Sequence, residues 1–186
     1  MHKALILLVV MLLAVSCGDR QTTPKPAAML ALNYPSGSYT ILKSQYCPYQ
    51  FEVNEYARVL AANDCSMKIE YPFMNATVYM DYVPVQDNLR ELLMDGQKLS
   101  FAHNRMADVI DDKVYVNPDK NVYGMFYSIE GNAASNVQFY VTDSVKNFMT
   151  ASLYFDQSPN YDSLYPAVEY VKLDMRQIIE TLQWSN

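Results

Sequence analysis

The chain has 186 residues, 51% of them hydrophobic and 18% charged, with 14 Lys and Arg against 20 Asp and Glu for a net charge of −6. That length suits one domain with a sizeable core. The mild acidity, with no cluster of basic residues, excludes a nucleic-acid binder and an electrostatic attachment to anionic lipid.

The first element is a leader. His2 and Lys3 precede Ala4 to Val15, an uninterrupted apolar run of about twelve residues. That is the length of a signal-peptide core and too short to span a bilayer. It ends in Ala14-Val15-Ser16-Cys17, the pattern of a lipobox cut before Cys17. We therefore expect residues 1–16 to be a lipoprotein signal peptide and Cys17 to be the lipid attachment site. Several acyl chains together hold stably, as in a fully acylated amino terminus, whereas one is marginal. Residues 17–33, with Thr22, Thr23, Pro24 and Pro26 near the start, are expected to form a flexible tether. The domain is expected to occupy residues 34–186.

Strands are predicted over Ser38–Leu42, Tyr49–Val53, Met67–Tyr71 and Ala76–Val83, from their β-branched and aromatic residues between turn signals. A helix follows, capped by Asp87 or Asn88. Its apolar positions are Leu89, Leu92, Leu93, Leu99, His103 and Met106, with Gly96 a weak point. Four further strands are predicted: Ala107–Val116, Val122–Glu130, Val137–Thr142 and Phe148–Phe155. The last helix, capped by Asp162 or Ser163, carries the stripe Val168, Val171, Met175, Ile178, Ile179 and Leu182, with Pro166 in its first turn. Strands, helix, strands, helix without regular βαβ alternation predicts an α+β fold. In it a mainly antiparallel sheet is flanked by two main helices. Sixteen tyrosines suit such a sheet, each ring packing while its hydroxyl reaches water.

Once Cys17 is acylated, Cys47 and Cys65 remain, an even number in an oxidising compartment. A disulfide between them would close a loop of about 18 residues, worth roughly 3 kcal/mol. The alternative is two reduced, buried thiols; export favours the bridge.

Catalytic groups are scarce. Beyond the leader the only histidine is His103, so an H-E-x-x-H zinc site is impossible, and no G-x-S-x-G elbow exists. His103 is expected to be a structural histidine late in the first helix. Cys47, Cys65 and His103 match no compact zinc motif. Asp119, Asn121, Gly124 and Glu130 imitate the spacing of a calcium loop, but Tyr123 stands where an oxygen ligand is required. A hairpin turn at Asn117-Pro118-Asp119 is expected instead. Asp111-Asp112 is expected in a solvated turn. No catalytic residue, metal or cofactor is expected.

The polar break at Gly131, Asn132, Ser135 and Asn136 is either a plain hairpin loop or a partner-binding loop. Asp143-Ser144-Val145 and Asp162-Ser163-Leu164 match an Asp-Ser-apolar O-glycan acceptor pattern, making Ser144 and Ser163 candidate modification sites. Both are also ordinary turn or capping sequences. Asn75-Ala76-Thr77 is an N-glycosylation sequon.

A set of blocks in this chain resembles the GldD family of gliding-motility lipoproteins of Bacteroidetes. They are Gly131-Asn132-Ala133-Ala134-Ser135, Gln138-Phe139-Tyr140, Thr142-Asp143-Ser144, Cys47-Pro48-Tyr49 with Phe51, and Val122-Tyr123-Gly124. Leu153-Tyr154-Phe155, Pro159-Asn160 and the ending Glu180-Thr181-Leu182 with Trp184 complete the set. The likeness runs from about Tyr34 to Trp184, with departures at Met149-Thr150 and Ser66. It implies a lipoprotein needed for gliding, associated with type IX secretion, with no known enzymatic activity. The order of elements is also similar to the Mog1/PsbP-like fold.

The expected function is that of a membrane-anchored structural or assembly factor facing the periplasm, with envelope proteins of the gliding and type IX secretion apparatus as partners. Gly18 follows Cys17, and no dense acidic run comes after it, so inner and outer membrane both remain open. The rival reading is a periplasmic small-ligand binding module with an aromatic pocket lined by tyrosines.

Overall fold

The computed structural model describes residues 34–101, 106–158 and 160–185. In chain order the elements are β1 (Tyr39–Lys43), β2 (Tyr49–Asn54), β3 (Arg58–Ala61), β4 (Met67–Tyr71), β5 (Ala76–Pro84) and α1 (Leu89–Phe101). They continue with β6 (Ala107–Asn117), β7 (Val122–Gly131), β8 (Val137–Thr142), β9 (Asn147–Phe155), α2 (Tyr161–Thr181) and β10 (Gln183–Trp184). Two antiparallel sheets result, a seven-stranded one in the order β3-β4-β5-β9-β8-β7-β6 and a three-stranded one in the order β1-β2-β10.

Alternation decides which face of the large sheet is buried. In β4, Met67, Ile69 and Tyr71 point inward while Lys68 is exposed. In β5, Val78 and Met80 do the same and Tyr79 turns outward. Val137, Phe139 and Val141 continue this layer across β8. Against it packs α2, through Leu164, Ala167, Val168, Val171, Met175, Ile178 and Ile179. Tyr49, Phe51 and Val53 of β2 complete the main core. Thr181 fastens the end of α2 to the small sheet by accepting from the Glu52 amide at 2.9 Å. Lys120 donates to the Glu180 carbonyl at 2.6 Å, a cation satisfying the free carbonyls of the helix end.

The opposite face of the large sheet carries α1. Leu89, Leu92 and Leu93 pack on Tyr127, Tyr140 and Phe148, one aromatic residue from each of β7, β8 and β9. The two helices therefore lie on opposite faces of one antiparallel sheet, as the order of elements implied.

The differences are local. The first helix is described over Leu89–Phe101, and Met106, expected on its apolar face, is instead an exposed residue just ahead of β6. His103 lies outside the described residues. Asn160, not Asp162 or Ser163, occupies the cap of α2, its carbonyl accepting from the Ser163 and Leu164 amides. Pro166 consequently falls one turn deeper than expected. Asp111 and Asp112 lie mid-strand in β6 rather than in a turn. The short strands β3 and β10 were not anticipated, because four or fewer residues carry no periodicity of their own.

Candidate functional site

The Gly131–Asn136 loop is built mainly as a joint. Gly131 has φ +100, and a Cβ there would fall 2.8 Å from the Asp108 amide nitrogen at the β6 bulge. Asn136 is buried and donates to the carbonyls of Ile129 (2.9 Å) and Gly131 (3.0 Å). Buried Ser135 donates to the Val137 carbonyl, and the Asn132 side-chain oxygen accepts from the Tyr161 amide at 2.9 Å. Only Asn132 and Ala134 of this loop are exposed, so a partner meeting it would meet those two residues.

The other marked positions separate. Cys47 and Cys65 are joined in a disulfide with Cα atoms 5.4 Å apart, which removes both as zinc ligands. Ser144, at φ 67, is exposed at the tip of the β8–β9 hairpin, and Ser163 is exposed in the first turn of α2. Asp143 organises that hairpin: Oδ1 accepts from the amides of Val145, Lys146 and Asn147, and Oδ2 from the Asn147 side chain. Burial opposes its charge, but these four bonds outweigh burial and hold the carboxyl below the usual range. The imitation calcium loop is a short helical turn, Pro118–Lys120, capped by the Asn117 side chain and followed by left-handed Asn121. Cys17 lies outside the described residues. Among the described residues, no group of three or more His, Cys, Asp or Glu is placed to hold a metal. No described helix is long and apolar enough to cross a membrane.

Three surfaces remain. The first is β6, the outer edge of the large sheet. It is an eleven-residue strand with no described neighbour on its outer side. Val114 is 72% exposed and Val116 60%, with Val109 and Met106 also open to solvent. Long edges with exposed β-branched residues are templates for another strand, and proteins that work alone blunt them. Beside it lies a groove of about 270 Å³ lined by Lys113, Val114, Tyr115, Phe126, Arg176 and Ile179, with the Arg176 guanidinium 5.4 Å from the centre of the Phe126 ring. The edge position follows from pairing across the whole sheet, so it was invisible in a local sequence window. The signal that existed was the loose alternation and the acids Asp108, Asp111 and Asp112 in one strand.

The second is a polar cleft of about 640 Å³ at one end of the molecule. It gathers Asp119, Lys120 and Asn121, then Asp143 and Lys146, then Gln183 and Trp184. The Trp184 indole donates to the Asn121 carbonyl at 3.1 Å, which fixes its ring. Of the blocks that resemble GldD proteins, the hairpin at Asp143 and the ending at Trp184 meet here.

The third is internal. Asp174 of α2, only 3% exposed, accepts from the Tyr39 hydroxyl at 2.7 Å and the Asn54 amide at 2.8 Å. Asn54 also donates to the Tyr170 hydroxyl. The Tyr71 hydroxyl is buried beside the same carboxylate and helps to stabilise its charge. Burial pushes the Asp174 carboxyl above its usual range, against the opposing hydrogen bonds. A signal for this residue was present: Asp174 sits three residues after Val171 and four before Ile178, a carboxylate on an otherwise apolar stripe.

Comparisons with known proteins fit this architecture. The solution structure of PsbP (CyanoP) from the cyanobacterium Synechocystis is similar, with a TM-score of 0.51 at 10% identity over 81% of this chain and 94% of that one. At that identity the likeness establishes the fold, which is PsbP-like. No curated protein sequence matches the chain. The profile of the gliding motility lipoprotein GldD family matches residues 19–184. The chain belongs to the gliding motility lipoprotein GldD family.

Proposed function

We propose that this lipoprotein is an assembly factor of the gliding and type IX secretion machinery, held to a membrane by acylated Cys17 with its domain in the periplasm. It works by contact, not by chemistry. The observation that carries this reading is the β6 edge, where Val114 and Val116 stand 72% and 60% exposed on a strand whose outer hydrogen-bonding groups face no described neighbour. Strand addition by an envelope partner would satisfy those groups and cover the valines. The acids Asp108, Asp111 and Asp112 along the same strand favour a partner segment carrying Lys or Arg.

The test is a chromosomal Val114→Lys, Val116→Lys double variant. Both side chains are exposed, so the protein should accumulate and stay membrane-bound. Gliding and surface export should fall towards the level of a gene deletion. Wild-type gliding and export in the double variant would remove β6 as the contact. Wild-type behaviour in the deletion strain would remove the whole proposal. Mass analysis of the mature amino terminus should find acyl chains on Cys17.

A further inference from the structure

The Asp174 network has an opening. A cleft of about 240 Å³ reaches the carboxylate between the entry strap Tyr34-Pro35-Ser36-Gly37 and the helix residues Tyr170 and Leu173, with Tyr39 on its wall. The rings of Tyr34 and Tyr170 stand 5.2 Å apart at 54°, forming an angled aromatic wall. The strap is close over the network: a Cβ on Gly37 would fall 2.8 Å from the Tyr39 hydroxyl.

We propose that this cleft is a binding site for an organic cation, an alkylammonium or guanidinium group, carried by a free small molecule or by a lysine or arginine side chain of a protein. Three features select that chemistry. Among the described residues no Lys, Arg or His is ion-paired with Asp174, so a nearly buried negative charge lacks a counter-ion. Such a charge is costly unless paired. The walls above it are tyrosine rings, whose faces attract cations. The volume, about 240 Å³, is below the roughly 300–1,000 Å³ of sites for drug-sized ligands, which selects an occupant near the size of one amino-acid side chain. The Tyr39 and Asn54 hydrogen bonds do not require a charge at position 174, since an amide there can still accept from one of them. This site is separate from β6, and its fate does not depend on that surface.

The full-length protein in nonionic detergent would be titrated with n-butylammonium and n-butylguanidinium, with 1-butanol as the neutral control, following tyrosine ring resonances. Saturable shifts in the rings of Tyr34, Tyr39 and Tyr170 are expected with either cation, and at least about tenfold weaker binding of the alcohol. Asp174→Asn keeps the shape and removes the charge, and should weaken cation binding at least about tenfold. Tyr34→Ala, on the strap and outside the buried network, should weaken it several-fold. Capped tripeptides with a central Lys or Gln separate the sources. A Lys peptide tighter than butylammonium assigns the cation to a protein, and the reverse assigns it to a free amine. The proposal is overturned if neither cation shifts those rings, if butanol binds as well, or if folded Asp174→Asn binds with unchanged affinity. Should Asp174→Asn not fold, unchanged affinity in Tyr34→Ala overturns it.

Discussion

Two glycines test the packing directly, because the same substitution should have opposite weight at each. Gly124 lies in β7 opposite Val141 of β8. A Cβ there would sit 1.9 Å from the Tyr140 carbonyl oxygen and 2.9 Å from the Val141 Cα, all backbone atoms that cannot swing aside. Gly124→Ala must therefore separate β7 from β8 by more than about 1 Å. Overpacking of this kind costs about 1–3 kcal/mol, and weakening two ladder hydrogen bonds adds about 1 kcal/mol each. The total is about 3–5 kcal/mol. Gly96 in α1 differs. Its nearest neighbour is the Cδ1 atom of the Tyr140 ring at 3.1 Å, the edge of a side chain that can yield a few tenths of an ångström. Alanine also gains about 1 kcal/mol in helix propensity over glycine. Gly96→Ala should leave stability within about 1 kcal/mol of the parent. Urea unfolding followed by Trp184 fluorescence reads both. With a slope near 2 kcal/mol per molar, the Gly124→Ala midpoint should fall by about 1.5–2.5 M and the Gly96→Ala midpoint by less than about 0.5 M. Equal shifts in the two variants, or a Gly124→Ala shift below about 0.5 M, would refute the account of the β7–β8 contact.

Other consequences can be read with the same instrument. Cys47→Ser opens a disulfide loop with a separation of 18 residues and should cost about 3 kcal/mol. An unchanged midpoint, with or without reductant in the parent, would contradict that figure. Asp143→Ala removes the acceptor for three backbone amides and one side chain in the β8–β9 turn and should cost about 2 kcal/mol at neutral pH. The folded pKa of Asp143 lies below its ordinary value of 3.8, so its charge stabilises above 3.8 and that contribution disappears as pH falls through the folded value. The gap between parent and Asp143→Ala should therefore close on acidification below pH 3.8; a gap constant to the lowest pH at which both fold would show that the charge is irrelevant.

Much of the fold was legible because its long elements obey simple periods. The predicted ranges of Met67–Tyr71 and Val137–Thr142 coincide with β4 and β8. The α2 stripe from Val168 to Ile179 is the buried face. What failed was chemistry shared between distant segments. The helix cap moved to Asn160 because three neighbouring polar residues, Asn160, Asp162 and Ser163, all suit a cap, and contacts such as Asn132 with the Tyr161 amide decide among them. The Gly131–Asn136 loop shows its polar letters in sequence, yet Asn136 spends its amide on Ile129 and Gly131, which no local window reveals. The Asp174 site joins Tyr34, Tyr39, Asn54, Tyr71 and Tyr170 from both ends of the domain. Of these residues, only Asp174 carries a local signal, a carboxylate on an otherwise apolar stripe.

Why β6 is left open follows from the route of the chain. After β5 the chain must pass β9, β8 and β7 to reach β6 at the edge. Four strand spacings are about 19 Å, and the thirteen residues of α1 span about 20 Å as a helix. The helix is thus just long enough to carry the chain across the face. It covers Tyr127, Tyr140 and Phe148 on the way, and Val114 and Val116 stay outside its reach. This makes a sharp expectation for hydrogen exchange. In an isolated antiparallel edge strand alternate amides point away from the neighbour. Within β6, every second amide should exchange in the fast regime, while its partners bonded to β7 stay protected and β8, paired on both sides, is protected throughout. On engagement of a partner strand the fast set in β6 should slow, with little change in β8. Uniform protection along β6 in the isolated protein would mean that the edge is already covered, and β6 could not then be the surface that meets the secretion machinery.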